Sequence, residues 1–425
     1  MLSFLQNHRL PGLDLGERII YPAYKGYSIL NIPASLCHFL DVPEIGNNVS
    51  TGPLSAETLS SLESGYQHVI LVLMDALAFH RLERWMQDGT APVWAELARN
   101  GLLHPLTSIV PSTTAAGLTS LWTGRPTCTH GITGYEMWLK EYGVVANAIL
   151  HTPMAFQNDV DGLERAGFKA EEFLSLPTLG SHLASQGISS YVLMHRSLAH
   201  SGLSRMLFKD TDLQAFFSAA DLWINLRYLL DSKSNEKLYA WVYWSEVDHF
   251  GHIYGPDDER TAAEFSNFSL ALERLFLSHL SPSARRKTLL ILTADHGQTN
   301  TSANSHYDLR NHPNLLRRLH INPTGENRLA YLYVRPGQYE AVREYIERAW
   351  PNQFTIIESA YALETGLFGS GDAHPSLLDR LGDLCVLARQ DAYLWWGLKD
   401  NFLIGRHGGL SSEEMLVPFL AVPLG

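Results

Sequence analysis

Val69 to Met74 is an unbroken run of six apolar residues, Val-Ile-Leu-Val-Leu-Met, followed at once by Asp75. No feature constrains the chain more. A strand with one wet face alternates apolar and polar side chains, whereas this run leaves neither face for water. It therefore reads as a strand buried on both sides, the kind found inside a parallel sheet. The pattern recurs at Leu238–Trp244, which leads to Asp248, and at Thr288–Thr293, which leads to Asp295-His296. Ser189–Met194, Leu329–Val334 and Leu384–Ala388 read as further strands, with helical periodicity over 78–99, 207–231, 260–280 and 338–349 between them. Strands alternating with helices predict an α/β fold: a largely parallel central sheet flanked by helices on both faces. In such sheets ligands bind outside the carboxyl ends of the strands. Asp75, Asp248, Asp295 and His296 all fall there.

At about 150 residues per domain, 425 residues make two to three units. Residues 1–64, punctuated by Pro11, Pro22, Pro33, Pro43 and Pro53, are expected to wrap a core. The catalytic core is expected over 65–304 and 401–425, with 131–235 as a partial cap and the proline-rich stretch 305–400 as a cap insertion. Lys and Arg number 32 and Asp and Glu 44, a net charge of −12. That balance argues against a protein held by bulk charge on a nucleic-acid polymer or an anionic membrane. No apolar window of about 18 residues is present to span a bilayer. Three cysteines without a CxxC pair form no disulfide framework, and the first residues lack a signal-peptide pattern, so a cytoplasmic setting is expected.

Four clusters carry chemistry. In Asp248-His-Phe-Gly-His252, an acid and an imidazole four residues apart share one face of a helical turn and can meet one cation. A surface Asp and His after a strand is the plain alternative. In Thr293-Ala-Asp295-His296-Gly297 the same two ligand types follow a strand directly, although Asp295 could instead cap a following helix. A mixture of carboxylates and imidazoles suits zinc, manganese or iron better than magnesium or calcium. In Gly405-Arg-His407-Gly408-Gly409 the glycines let the backbone approach closely and aim an imidazole inward, while a lone His in such a loop is also an ordinary turn residue. In Pro111-Ser-Thr-Thr114 a hydroxyl opens a helical run that ends before Gly124. That position suits an N-cap, and it also suits an anion site with a metal-activated nucleophile. Three Asp, three His and a Thr suffice for two metal sites.

In order, VLMDAL, PSTTAAGLTSLWTG, HGITG, DHFGHIYGP, TADHG and GRHGG resemble the motifs of the alkaline phosphatase superfamily. More narrowly, they are similar to those of its type I phosphodiesterase/nucleotide pyrophosphatase family, from Val69 to about Val422. The resemblance implies a phosphoric-ester hydrolase with two divalent metal ions, usually zinc and in some branches manganese. It implies one metal held by Asp248, His252 and His407. The other would be held by Asp75, Asp295, His296 and the hydroxyl of Thr114. Thr114 would be the nucleophile of a phospho-threonine pathway, with Thr113 second in line. The nucleotide pyrophosphatases resembled place an Asn five residues after the His of HGITG. Counting from His130, this chain has Tyr135 there, which becomes the candidate substrate contact.

The expected substrate is a small phosphate ester or nucleotide, cleaved as a diester or pyrophosphate. Phosphomonoester and phosphonate hydrolysis are alternatives within the superfamily, and a silent nucleotide- or phosphate-binding protein is the alternative outside enzymology. The sulfatase motif is missing at Thr114-Ala-Ala-Gly, and a mutase of the superfamily would carry Ser rather than Thr114. No GxxxxGK[ST] loop or GxSxG elbow supports a P-loop kinase or an α/β-hydrolase. His195, His306, His312 and His374 are expected to be structural or surface residues. Trp241, Trp244, Trp395 and Trp396 are expected to pack rather than stack on a base.

Overall fold

The computed structural model describes residues 1–46, 51–156, 159 and 162–425. Its central sheet has seven strands: β1 (His68–Met74), β2 (Leu102–Thr107), β3 (Ser189–His195), β4 (Asp212–Phe216), β5 (Leu238–Trp244), β6 (Thr288–Thr293) and β7 (Leu416–Pro423). They lie in the order β2-β7-β6-β1-β5-β3-β4. β1 pairs in parallel with both β5 and β6, and β3 in parallel with β5 and β4. β7 runs antiparallel between β6 and β2. The apolar runs occupy the middle of the sheet because only there are both faces covered. Every residue of β1, β5 and β6 is buried. Helices pack against this sheet, and the side chains between form one core with Trp94, Trp223, Phe265 and Phe268.

Strand direction decides what the carboxyl edge collects. β1 ends at Asp75, β5 runs into the helix Glu246–Tyr254, and β6 ends before Asp295-His296. β7 is antiparallel, so it brings its beginning to the same edge, and the loop before it carries His407.

A second sheet of seven strands is antiparallel throughout. It joins Glu136–Leu139, Val144–Asn147 and Thr152–Pro153 to Thr324–Glu326, Leu329–Leu332, Phe354–Glu358 and Leu384–Ala388. The stretch expected as a partial cap, 131–235, is thus divided. Its first strands join those of 305–400 in one sheet, through a pairing of Gly325 with Glu136. Its later strands, β3 and β4, lie in the central sheet. The physical reason is register: Ser189–His195 finds an in-line parallel partner in β5, whereas Glu136–Leu139 is a short, half-buried hairpin strand. The N-terminal segment serves both cores: Leu13, Leu15 and Tyr21 pack beneath the second sheet, while Ile29, Leu36 and Phe39 sit in the main core. Among the described residues no helix is long and apolar enough to cross a membrane.

A buried ion pair locks the two sheets together. Arg328, in the turn between two strands of the second sheet, donates to Glu414 Oε1 at 2.7 Å and Oε2 at 2.9 Å. It also donates to the Ala392 carbonyl at 2.7 Å. Glu414 in turn accepts from the N–H groups of Gly409 at 2.8 Å and Ser411 at 3.2 Å. Both side chains are fully buried. Removing one partner leaves the other charge uncompensated. Glu414→Ala is therefore expected to cost about 3–5 kcal/mol in denaturant-induced unfolding. A loss below about 1 kcal/mol would show that the pair is not the lock described.

Candidate metal centre and nucleophile

Seven side chains from five chain segments converge at the carboxyl edge. Asp75 follows β1. Asp248 and His252 stand one turn apart on the helix Glu246–Tyr254. Asp295 and His296 follow β6; no helix begins there, and Asp295 Oδ1 accepts from the N–H of His296 at 3.0 Å instead of capping one. His407 comes from the glycine loop. Thr114 opens the helix Thr114–Thr123, which ends on Gly124 in the left-handed conformation.

The three imidazoles are oriented alike. Nδ1 of His252 faces the Gly405 carbonyl at 2.8 Å, that of His296 the Gly297 carbonyl at 2.9 Å, and that of His407 the Ser112 carbonyl at 3.2 Å. A carbonyl only accepts, so each Nδ1 carries a proton and Nε2 is the nitrogen left for a further partner. All three Nε2 atoms face the carboxylates. His252 Nε2 lies 3.2 Å from Asp248 Oδ2 and His407 Nε2 3.8 Å from Asp248 Oδ1. His296 Nε2 lies 3.4 Å from Asp75 Oδ1 and 3.6 Å from Asp295 Oδ2. This is how imidazoles are held when a cation takes the second nitrogen.

The ligand atoms of Asp248, His252 and His407 lie within 4.8 Å of one another, as do those of Asp75, Asp248 and His296. Asp248 thus stands between the two groups. Asp75 Oδ1 and Asp295 Oδ2 are buried oxygens with no hydrogen-bond partner. Burial and the nearby Asp295 and Asp248 push the Asp75 carboxyl well above its usual range, and burial raises Asp295 as well. Burial and neighbouring His296 push His407 far down. Orphaned carboxylate oxygens beside imidazoles that turn Nε2 toward them fit a pair of divalent cations, which would offset the repulsion the protein leaves unpaired.

The two candidate hydroxyls are separated by the structure. Thr114 Oγ1 lies 3.4 Å from Asp75 Oδ2 and 3.2 Å from His296 Nε2. The Thr113 hydroxyl donates to Glu326 Oε1 at 2.6 Å and makes no capping bond to its own helix. Close passage of the helix Thr114–Thr123 over Asp295 requires Gly117, where a Cβ would sit 2.9 Å from Asp295 Cβ.

Several contributors escaped the sequence reading. The Tyr243 hydroxyl donates to Asp75 Oδ2. Gln298 Nε2 donates to Asp248 Oδ1 at 2.8 Å. Ser112 Oγ donates to the Gly409 carbonyl at 2.7 Å and accepts from the Gly408 N–H at 3.2 Å, steadying the His407 loop. Glu326 is buried and its carboxyl is pushed up to about 7, mainly by desolvation. Only Tyr243 carried a local signal, as the next-to-last residue of a strand that ends at the site.

A cleft of about 370 Å³ opens from Asp75, Thr114 and Asp248. Its walls include Ile149, Leu198, Leu203 and Phe208, with His195, Ser197 and His249 supplying polar edges. His195, expected to be structural, thus lines the cleft, with Nδ1 2.8 Å from Ser197 Oγ. Tyr135 is not among the lining residues; it contributes its backbone, donating to Glu326 Oε1 at 2.7 Å. His130 is a packing residue, its Nε2 3.1 Å from Ser120 Oγ on the helix Thr114–Thr123. Burial, aided by His374 and Arg380, pushes it down to about 3. His306 and His312 pack on Trp350, and Trp241 and Trp244 are core residues.

The sequence profile of the type I phosphodiesterase/nucleotide pyrophosphatase family matches residues 69–410. Human ectonucleotide pyrophosphatase/phosphodiesterase family member 5 is 26% identical over 168 residues, 39% of this chain and 33% of that protein. The match therefore spans a third of that relative's length. The mouse protein of the same name, as an inactive threonine-to-alanine variant in complex with AMP, aligns with a TM-score of 0.62 and 20% identity over 84% of this chain and 88% of its own. Phosphonoacetate hydrolase from Sinorhizobium meliloti aligns with a TM-score of 0.60 and 16% identity over 84% and 90%. At such identities the structures share the fold.

The electrostatics generate a test. Asp295→Asn keeps the Oδ1 acceptor and removes one buried charge. It is expected to stabilise chelator-treated protein by about 1–4 kcal/mol. The same change is expected to destabilise protein supplied with zinc or manganese, because a ligand is lost. Thermal and denaturant unfolding with and without metal measure both. A loss of stability in the chelated form would refute the repulsion argument.

Proposed function

The chain belongs to the type I phosphodiesterase/nucleotide pyrophosphatase family and is a hydrolase of phosphoric ester bonds, and within that family we propose that it cleaves a small phosphodiester or nucleotide pyrophosphate with Thr114 as nucleophile. The observation that carries this reading is the placement of one hydroxyl: Thr114 Oγ1, at the first residue of a ten-residue helix, faces Asp75 and His296 while its neighbour is engaged elsewhere.

Asp248, His252 and His407 would hold one divalent cation, and Asp75, Asp295, His296 and Thr114 the other. Zinc is favoured by the ligand set and manganese is the alternative. When bound, such a pair lowers the pKa of a coordinated hydroxyl and offsets charge on phosphoryl and leaving oxygens. The protein's own contributions are positional. Thr114 presents its oxygen in line with a phosphorus that enters from the cleft. The helix N-terminus directs unpaired N–H groups at the phosphoryl oxygens. The Thr114 oxygen forms a bond to phosphorus as the bond to the leaving oxygen breaks, and the departing alcohol or phosphate takes a proton. Water then attacks the phospho-threonine and restores the Thr114 hydroxyl. The Nδ1 protons of His252, His296 and His407 are committed to carbonyls, which turns each Nε2 toward the cation positions.

The cleft has the volume of a small-ligand site, and its apolar wall with histidine and serine edges suits a nucleoside or a comparable uncharged group.

Bis-p-nitrophenyl phosphate and p-nitrophenyl phosphate, given side by side to metal-loaded protein, test the reading. A diester preference is expected, with Thr114→Ala lowering kcat at least about 10³-fold. Quenched wild-type protein should carry one phosphoryl group on the peptide containing Thr114. Preference for the monoester would make the protein a phosphatase. A phosphoryl group on Thr113 would move the nucleophile, and bound metal with neither ester turned over would point to a phosphonate or a silent binding role.

A further inference from the structure

Glu326 belongs to the second sheet, yet its carboxylate reaches the nucleophile helix. One oxygen, Oε1, accepts from the Thr113 hydroxyl at 2.6 Å and from the Tyr135 N–H at 2.7 Å. Its Cβ also fills the space over Gly408, where a Cβ would come within 2.4 Å and where φ is +105°. Gly408 bridges to Ser112 in antiparallel fashion, one residue before Thr113. Glu326 therefore touches the start of the nucleophile helix, the loop after His130 and the loop that carries His407.

Thr113 occupies the N-cap position with φ −146° and ψ 149°. A threonine there ordinarily turns its hydroxyl oxygen onto the N–H of the second or third helical residue. Here it does not, and no side chain caps the helix. The hydroxyl is drawn off by a buried carboxylate, a stronger acceptor than a neutral group. The N–H groups of the first turn are left without a side-chain partner at the place where a phosphoryl group must dock.

We propose that Glu326 is a positioning residue that keeps the nucleophile helix uncapped: by holding the Thr113 hydroxyl away, it reserves the first-turn N–H groups for phosphoryl oxygens and helps seat the start of that helix against the His407 loop. This rests on Thr114 being the nucleophile. Without Glu326, Thr113 is free to cap the helix and compete with the phosphoryl oxygens for the same donors.

The test compares three variants of the full chain, loaded with zinc or manganese and checked for metal content. Glu326→Met keeps the volume and removes the acceptor; Glu326→Gln keeps a carbonyl acceptor; Glu326→Met with Thr113→Val also removes the hydroxyl that would cap. Glu326→Met is expected to lower kcat/KM for bis-p-nitrophenyl phosphate about 100-fold. It should weaken inorganic phosphate binding, read by calorimetry, about tenfold. Glu326→Gln should stay within about fivefold of wild type in both readouts. The double variant should recover at least about fivefold over Glu326→Met, since the competing cap is gone. Unchanged phosphate affinity in Glu326→Met, or a double variant no better than the single, overturns the proposal. Thr114→Ala, run alongside, separates this from the proposed function: if wild type shows no diesterase activity, phosphate affinity across the three variants still decides the role of Glu326.

Discussion

Three carboxylates, Asp75, Asp248 and Asp295, are gathered at one edge of the central sheet, and two of their oxygens have no partner within the protein. Packing like charges out of water is among the most costly things a fold can do. Much of the surrounding architecture reads as what makes that concentration possible. The parallel strands β1, β5 and β6 are buried along their whole length, so their ends are rigid points from which short side chains converge. The histidines are locked by backbone carbonyls, so each turns its Nε2 toward the carboxylates. Tyr243 and Gln298 each donate one hydrogen bond to a carboxylate and leave other oxygens open. The remaining imbalance is one that a pair of divalent cations would offset.

The second sheet is more than a lid over this edge. Its strands Thr324–Glu326 and Leu329–Leu332 form a hairpin that puts two charged residues of opposite sign, Glu326 at the strand end and Arg328 in the turn, into the contact with the central-sheet half. Arg328 is fully paired with Glu414 and braces the stretch between the His407 loop and β7. Glu326 reaches the start of the Thr114 helix. The histidine loop and that helix are thus tied to one hairpin of another sheet. The precision that in-line attack requires is a matter of fractions of an ångström. A shared anchor is an economical way to hold two elements at that tolerance.

Much of this was legible along the chain because the chemistry is local. An apolar run ending in Asp, an Asp-His-Gly after a strand, and an Asp and His one helical turn apart each declare themselves within a few residues. Strand direction then collects them at one edge. What was not legible has no local signature. Gln298 and Ser112 are ordinary loop residues whose role depends on facing Asp248 and Gly409. Glu326 lies 213 residues from Thr113 in sequence. The family resemblance put Thr114 ahead of Thr113, but the carboxylate that engages the Thr113 hydroxyl has no local signature, nor does the bond from the Tyr135 N–H to the same carboxylate.

The sequence by itself determined the layered α/β plan, the strands of the core and the candidate ligands, because burial periodicity and polar strand ends are properties of consecutive residues. Tertiary structure alone decided that residues 136–153 and 324–388 form one sheet, that the Thr114 hydroxyl faces the carboxylates while Thr113 is held off, and that a glutamate from the far sheet stands at the helix start. Those outcomes depend on hydrogen bonds and packing between segments far apart in the chain, and short-range pattern carries no information about which distant donor will meet which acceptor.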